Sequence, residues 1–545
     1  MIGKITAKSI LSGFDYAKAD RQTVESTWND VMYYVMPRKR DIQSDKTKGE
    51  KDPYDVYDDT AIQSNIILAA GLSGYMTNAA QRWFELRSRN EKIMEEKGVR
   101  SYFNECSEIM YSSFSNSNFY EQIHELYLDL GAVGTASIYE EEDEKTDVRF
   151  YARHPKEIYI IENDKGDVDI VYRSFKMTAW AAYNFFGKDK CGTSVLKAIE
   201  SNKYTEEFDY VQYICPRHER QAGKKDSLNK PVASYWVSCK DQKISKESGY
   251  DEFPYAVARF YKNSNETYGY SSGIAAYSNI RMINRMMEYY IKGGELSLWP
   301  AFLAEHDSMM NTFSMKSGAM NYQRAPLSQG AQIQPIQTNT NYQIGIDFIN
   351  RVEDKIKSAF FADLFLLLTN SANMTATEVI ERTQEKMLLL GPVLGRLQNE
   401  LLSPIIYRSF NILARRGKLP DPPPALLENP TYDVVYVSPL AKAQRAVQAK
   451  DMTTFLTIVS QMAQVIPDVL DNVDGDVVVK KLNKIYSVDP DILREDDLVD
   501  AIRQARDKKQ QAMEKMAMMQ QGAMIADTAG KATKSYADAG QASKQ

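Results

Sequence analysis

Two spacings of apolar residues alternate along the chain and divide it into regions. From Ala7 to Met36 the apolar positions Leu11, Phe14, Trp28, Met32 and Val35 fit a helix, and Pro37 stops it. A second helix is predicted after Asp59, read as its cap, with Ile62, Ile66, Ala69 and Leu72 at helical spacing. Gln81–Leu86 alternates as a strand does, and helices follow at roughly Glu95–Ser113 and Asn118–Gly131. From Val133 to Tyr261 the period changes to two. Ala136–Tyr139 and Val148–Tyr151 flank an acidic turn, and Glu157–Ile161 and Val168–Tyr172 flank the turn Asn163-Asp164-Lys165-Gly166. Further strands are predicted at Asp209–Cys215, Ala233–Cys239 and Tyr255–Tyr261, with a short helix near Thr178. Strands grouped in this way, rather than alternating with helices, imply an α+β region.

The longest helical stripe comes next. From Ser272 to about Ser297, Ile274, Tyr277, Ile280, Ile283, Met287, Tyr290 and Ile291 lie opposite Arg281, Arg285, Glu288 and Lys292. Such a helix is roughly 40 Å long. Trp299-Pro300 ends it, and residues 300–343 read as short strands and turns. A second long helix is predicted over 344–368, with Ile349, Val352, Ile356, Phe360, Leu364 and Leu367 on one face. Two long amphipathic helices thus bracket a small insert. An isolated subunit would leave such stripes exposed, whereas neighbouring copies in a ring would bury them.

After Leu368 the chain turns polar at Thr369–Met374. Thr375-Ala376-Thr377-Glu378 then forms a capping-box sequence that opens another helix. A kink is expected at Gly391-Pro392, an end at Gly417, and a stiff spacer at Pro422–Pro424. Val434–Val437 is one more strand. The rest is predicted helical from Leu440, with a flexible tail from Gln510 to Gln545.

Composition narrows the function. The formal net charge of the 545 residues is −6, without the basic excess that gripping DNA by its phosphates needs. Four cysteines in so long a chain make no disulfide framework. The N-terminus has no apolar core of a signal peptide, and the run Phe360–Leu368 is too short to span a bilayer. The chain is therefore expected to be soluble, made in the cytoplasm and not exported.

Catalytic patterns are missing. Gly187–Ser194 has the glycine and lysine of a phosphate cradle in the wrong order and reads as a loop. Gly131–Gly134 lacks the third glycine of a dinucleotide site. Cys191, Cys215, His218 and Cys239 have no paired Cys-x-x-Cys and read as strand cysteines rather than zinc ligands. His124, His154 and His306 are scattered, and no G-x-S-x-G occurs. The acidic runs Glu140–Glu144 and Asp496-Asp497 read as solvated faces. Arg38-Lys39-Arg40 and Arg415-Arg416 read as helix-end cations, and the methionines from Met513 to Met524 as a packing face. No catalytic, metal or cofactor site is expected.

Several segments resemble the portal, or head-to-tail connector, family of short-tailed bacteriophages. They are Trp28 with Pro37, Asp59-Thr60-Ala61, Leu68–Leu72 and Arg82–Leu86; then Phe253-Pro254, Arg259, Glu266–Gly269 and Asn284; then Ser317–Asn321. The most specific stretch runs from Met374–Val379 and Glu381-Arg382 through Leu390–Leu397 and Glu400–Pro404 to Ser438–Ala441. Two departures, Tyr270-Ser271-Ser272 and Trp299-Pro300, stand where the family has other helix-end residues.

The resemblance implies an α+β, ring-forming portal architecture. A mixed wing would cover 1–270 and a kinked helix and strand at 376–437. Stem helices would be 271–298 and 344–368, with a β-containing clip at 299–343, a tunnel loop at 369–375, a helical crown at 438–509 and the tail at 510–545. Stem positions would include Ile280, Asn284, Met287, Val352, Ile356 and Phe360; clip positions Lys316, Gly318 and Asn321; tunnel-loop positions Thr369, Asn370, Ser371, Asn373 and Thr375. About twelve copies would form a channel for double-stranded DNA during packaging and ejection. The implied partners are the major capsid protein, the terminase large subunit, and then the tail adaptor and tail proteins. Scaffolding and internal core proteins are further candidates, and no membrane is involved. The subunit would be made in the host cytoplasm and reside at the portal vertex of the virion. The alternative is another structural ring or adaptor of the head–tail junction.

Overall fold

The computed structural model describes residues 5–44, 55–94, 98–221, 223–224, 226–305, 314–323, 333–336, 342–367, 389–428, 432–437, 452–463, 466, 473–486, 498–513, 515–516 and 518–519. The chain divides into two compact units, Met1–Ala443 and Gln444–Gln545.

The first helix, α1 (Ala7–Val35), opens with a reciprocal capping box between Thr6 and Ser9. It buries Trp28, Val31, Met32 and Val35 in the main core. Its buried Arg21 donates from Nη1 to the carbonyls of Pro155 (2.8 Å) and Ile158 (2.7 Å) and lies 3.5 Å from the centre of the Tyr159 ring. The helix α2 spans Thr60–Met76, but Asp59 makes no side-chain cap. Asp58 caps it instead, accepting from the Thr60 amide and hydroxyl, each at 3.1 Å. Ile66, one of the apolar positions read at helical spacing in α2, is 44 % exposed, because Ala61, Leu68, Ala69 and Leu72 turn inward.

Next come β1 (Phe84–Ser88), α3 (Glu91–Met94), α4 (Val99–Asn116) and α5 (Phe119–Val133). The β-region holds β2 (Thr135–Asp143), β3 (Asp147–Arg153), β4 (Ile158–Glu162), β5 (Val168–Thr178), α6 (Ala179–Phe186), α7 (Thr193–Glu200), β6 (Glu207–Pro216), β7 (Val232–Ser238), β8 (Lys243–Tyr250) and β9 (Tyr255–Arg259). All pairings here are antiparallel: β3-β2-β9 in one sheet and β4-β5-β6-β7-β8 in another. Strand β8 escapes the sequence pattern, because this edge strand is mostly polar and its burial does not alternate: Lys243, Lys246 and Glu247 are exposed, Ser245 and Gly249 buried.

The long helix α8 runs Ser272–Leu298. It leads to β10 (Phe302–Glu305), β11 (Met320–Gln323) and β12 (Ile333–Pro335), in the order β11-β10-β12, the first pair parallel and the second antiparallel. The second long helix is not continuous. It stops as α9 (Tyr342–Ala359), turns at Phe360-Phe361 with Phe361 at φ 56°, and restarts as α10 (Ala362–Leu367). The break lets α10 lay Phe365 over Gly71 of α2, where an added Cβ would lie 2.4 Å from the ring.

Residues 389–397 are helical through Gly391-Pro392, and a π-helical turn follows them. Gln398–Leu402 is π-helical and continues into α11 (Ser403–Arg415). Pro404 favours the widening: it has no proton for the Glu400 carbonyl and crowds it, and i→i−5 bonding relieves both. After α12 (Pro424–Glu428), β13 (Tyr432–Tyr436) pairs antiparallel with β1. The second unit has helical backbone at 452–463, in α13 (Gly475–Tyr486) and at 498–513. Its Arg503 forms an ion pair with Asp476 at 2.6 Å, while Met513, Met516, Met518 and Met519 are exposed.

Candidate stem and clip surfaces

The root of α8 is set by close backbone packing. Ser271 caps the helix by accepting from the Ile274 amide (2.9 Å) and donates to the Ala132 carbonyl (2.7 Å). Gly134 sits at φ 81°, and a Cβ on Gly269 would lie 2.1 Å from the Gly134 oxygen. Midway along α8, buried Asn284 accepts from the amides of Tyr57 (3.0 Å) and Asp58 (3.2 Å) and donates to the Ile280 carbonyl (2.9 Å). It fixes the segment entering α2 against α8. Burial pushes the Asp58 carboxyl above its ordinary range, against the opposing pull of its Thr60 bonds.

Ile280, Val352, Ile356 and Phe360 belong to the main core, and Met287 packs against it. The apolar stripe of α8 therefore splits. The chain's own α1, α5 and α9 pack on α8, whose fully buried residues end at Asn284, while Met287 and Tyr290 beyond it are partly covered by the same core. Beyond Asn284, Tyr289, Ile291 and Leu298 are exposed, as are Trp299 after the helix and Ile346 and Phe348 on α9.

Between the two helices, Gly318 turns at φ 71°, and a Cβ there would meet the Trp299 indole at 2.7 Å. Ser317 donates to the Trp299 carbonyl (2.8 Å), fastening this turn to the end of α8. Asn321 bridges the Ser314 amide (2.6 Å) and carbonyl (2.8 Å), and Lys316 is exposed beside it. Thr369, Asn370, Ser371, Asn373 and Thr375 lie outside the described residues, as do the capping box to Glu378, His306 and Asp496-Asp497.

The rejected chemistry stays dispersed. The N-terminus of α7, nearest to a phosphate cradle, already holds the Asp241 carboxylate, which accepts from the Thr193 hydroxyl (2.9 Å), the Ser194 hydroxyl (2.7 Å) and the Ser194 amide (3.2 Å). These bonds keep the Asp241 carboxyl below its ordinary range despite partial burial. Cys191 packs with Phe186 and Tyr210, Cys215 in a separate cluster with Val211, and His218 is exposed. No group of three or more metal-ligating side chains occurs among the described residues. Among them, too, no helix is long and apolar enough to cross a membrane.

The basic strings meet carboxylates. Lys39 pairs with Glu125 and Asp129, each at 2.8 Å, and Arg415 with Glu252 (2.6 Å) and Glu142 (3.0 Å). Arg416 donates to the carbonyls of Asp143 and Asp147.

A family model described as "Bacteriophage head to tail connecting protein" matches residues 7–493. The chain belongs to this family. The "Probable portal protein" of Bordetella phage BPP-1 is 30% identical over 529 residues, covering 96% of this chain and 95% of that one. The "Portal protein" of Salmonella phage epsilon15 is 30% identical over 517 residues, covering 94% and 93%. A chain of the solved "Neck of empty GTA particle computed with C6 symmetry" aligns at TM-score 0.35 and 9% identity, covering 73% of this chain and 87% of that one.

The chain also buries ionisable side chains that its sequence pattern does not reveal. Arg259 is 2 % exposed and holds Glu400 and Glu162. Glu140, inside an acidic run read as solvated, is equally buried and accepts from the Ser409 hydroxyl at 2.6 Å. The period-two spacing offers one signal: Glu140 has the parity of Ala136 and Ile138, and it closes the run of six buried positions that opens β2.

Proposed function

We propose that this head-to-tail connector subunit forms a ring of about twelve copies around a hole that conducts double-stranded DNA into and out of the capsid. The single observation that carries the reading is the distal half of α8 with the facing start of α9. Tyr289, Ile291, Leu298, Trp299, Ile346 and Phe348 leave an apolar surface exposed in one subunit. Neighbouring copies of the same two helices are the natural cover.

In this reading α8, α9 and α10 are the stem, and the three-stranded insert with Lys316, Gly318 and Asn321 is the clip. The clip would dock the packaging motor during filling and the tail adaptor afterwards. The wing would meet the capsid protein. A conduit works best when it does not bind its cargo. A duplex carries one charge per ~1.7 Å of axis, so a basic wall would act as a brake. The net charge of −6 and the internal pairing of Lys39, Arg415 and Arg416 fit a low-friction wall. Thr369, Asn370, Ser371, Asn373 and Thr375 would narrow the hole with neutral hydrogen-bonding groups that hold DNA weakly.

Native mass measurement and negative-stain images of the purified protein test the ring. A ring of about a dozen copies with a central hole is expected; a monomer at every concentration would overturn it. Deleting residues 370–373 should leave rings that assemble but do not retain packaged DNA. Normal retention would rule out that role for the segment.

A further inference from the structure

The π-helical turn at Gln398–Leu402 coincides with a defect in the apolar pattern. Buried positions run Val393, Leu397, Leu401, Ile405 and Ser409, four residues apart each time. In a regular α-helix each such step gains about 40°, so the inward face would drift by roughly 160°. One extra residue taken up in a π turn removes roughly 100° of that drift. Residues 389–397 and α11 can then face the same core. The Ser403 amide donates to the Gln398 carbonyl, the i→i−5 bond that defines the widening. The Tyr436 hydroxyl of β13 donates to that same carbonyl (3.1 Å) and bonds the Ser403 hydroxyl (2.7 Å).

The same turn aims Glu400 at the root of α8. Its carboxylate accepts from the Arg259 amide (3.1 Å), Nε (3.0 Å) and Nη2 (2.7 Å). The guanidinium also donates to Glu162 of β4, to the Gly166 carbonyl in the β4–β5 turn (3.0 Å) and to the Thr267 carbonyl (3.4 Å) in the loop leading into α8. Lys262 and Arg396 are the other cations at the cluster, at 2.7 Å from Glu162 and 3.9 Å from Glu400. A single buried arginine thereby joins the π turn, the five-stranded sheet and the segment entering α8.

We propose that Arg259 and Glu400 are positioning residues whose pairing keeps the π turn open and so sets the rotation of helix 389–397 against the root of α8. That helix follows residues 369–375 in the chain. The consequence for the DNA path therefore rests on the ring reading above, whereas the joint itself does not.

Hydrogen exchange on the assembled full-length protein tests it. Glu400→Gln keeps the shape and removes the charge. Amide exchange across residues 389–402 should accelerate about tenfold or more, as expected for losing a charge-assisted bond set. Exchange of α11 beyond Ile406 should stay unchanged. Glu400→Asp should recover part of the protection. Acceleration below about twofold, or equal loss through all of α11, would overturn the proposal.

A second variant removes the joint without opening a cavity: deletion of exposed Asn399 combined with Pro404→Ala. A straight helix then keeps both apolar faces inward. The proposal expects rings that assemble but package or retain DNA poorly. Rings with normal packaging and retention would overturn it, leaving the π turn a tolerated insertion. Absence of rings from the parent protein would instead defeat the ring reading and leave the exchange result standing.

Discussion

Glu140 should make the subunit less stable as the pH rises, and Glu140→Gln should abolish that effect. The carboxyl is buried between β2 and α11. Oε1 accepts from the Ser409 hydroxyl at 2.6 Å, while Oε2 has no hydrogen-bond partner and lies 4.0 Å from Nε of Arg408. Burial pushes the carboxyl from an ordinary 4.5 up to about 8; Arg408, Ser409 and Arg415 pull it down, Glu252 pushes it up, and burial prevails. An acid raised in the folded state keeps its proton where the unfolded chain has lost it. Its favourable contribution is therefore fully present below about 4.5 and is lost as pH rises through about 8. At 1.36 kcal/mol per unit the full swing is roughly 3–5 kcal/mol. Glutamine retains the acceptor for Ser409 and cannot ionise. The difference in apparent Tm, variant minus parent, should grow in the variant's favour from pH 5 to 8.5 and then level off. Other titrating groups cancel in that difference. A flat difference, or a variant less stable by about 2 kcal/mol at pH 9, would refute the reasoning and mean that Glu140 is ionised against Arg408.

Asn284→Ala leaves the buried amides of Tyr57 and Asp58 without their acceptor. It should cost about 2–4 kcal/mol in denaturant unfolding, and a loss under 1 kcal/mol would count against a fixing role. Gly269→Ala puts a Cβ 2.1 Å from the Gly134 oxygen; a loss of about 1–3 kcal/mol is expected in the same assay. Leu298→Ser with Trp299→Ser alters residues that are 91 % and 66 % exposed. Subunit stability should change by no more than about 0.5 kcal/mol, while sedimentation should show weakened assembly; unaltered assembly would remove these residues from the interface.

What the sequence by itself determined is local. The start of the α8 stripe near Ser272, its end at Trp299-Pro300 and its length follow from an uninterrupted helical spacing. The antiparallel hairpins follow from period-two runs around tight turns, and the family resemblance from short motifs spread over most of the chain. The tertiary structure decided which faces those elements use. It buried α8 within the chain up to Asn284 and left Tyr289, Ile291 and Leu298 exposed beyond it, a distinction that periodicity cannot make because apolar residues recur along the whole helix. It broke the second long helix at Phe361 so that Phe365 could cover Gly71. It also paired Phe84–Ser88 with Tyr432–Tyr436, and placed Arg259 between Glu162 and Glu400. Partners so far apart in the chain are chosen by shape and charge once the core has closed, and a local spacing carries no record of that choice.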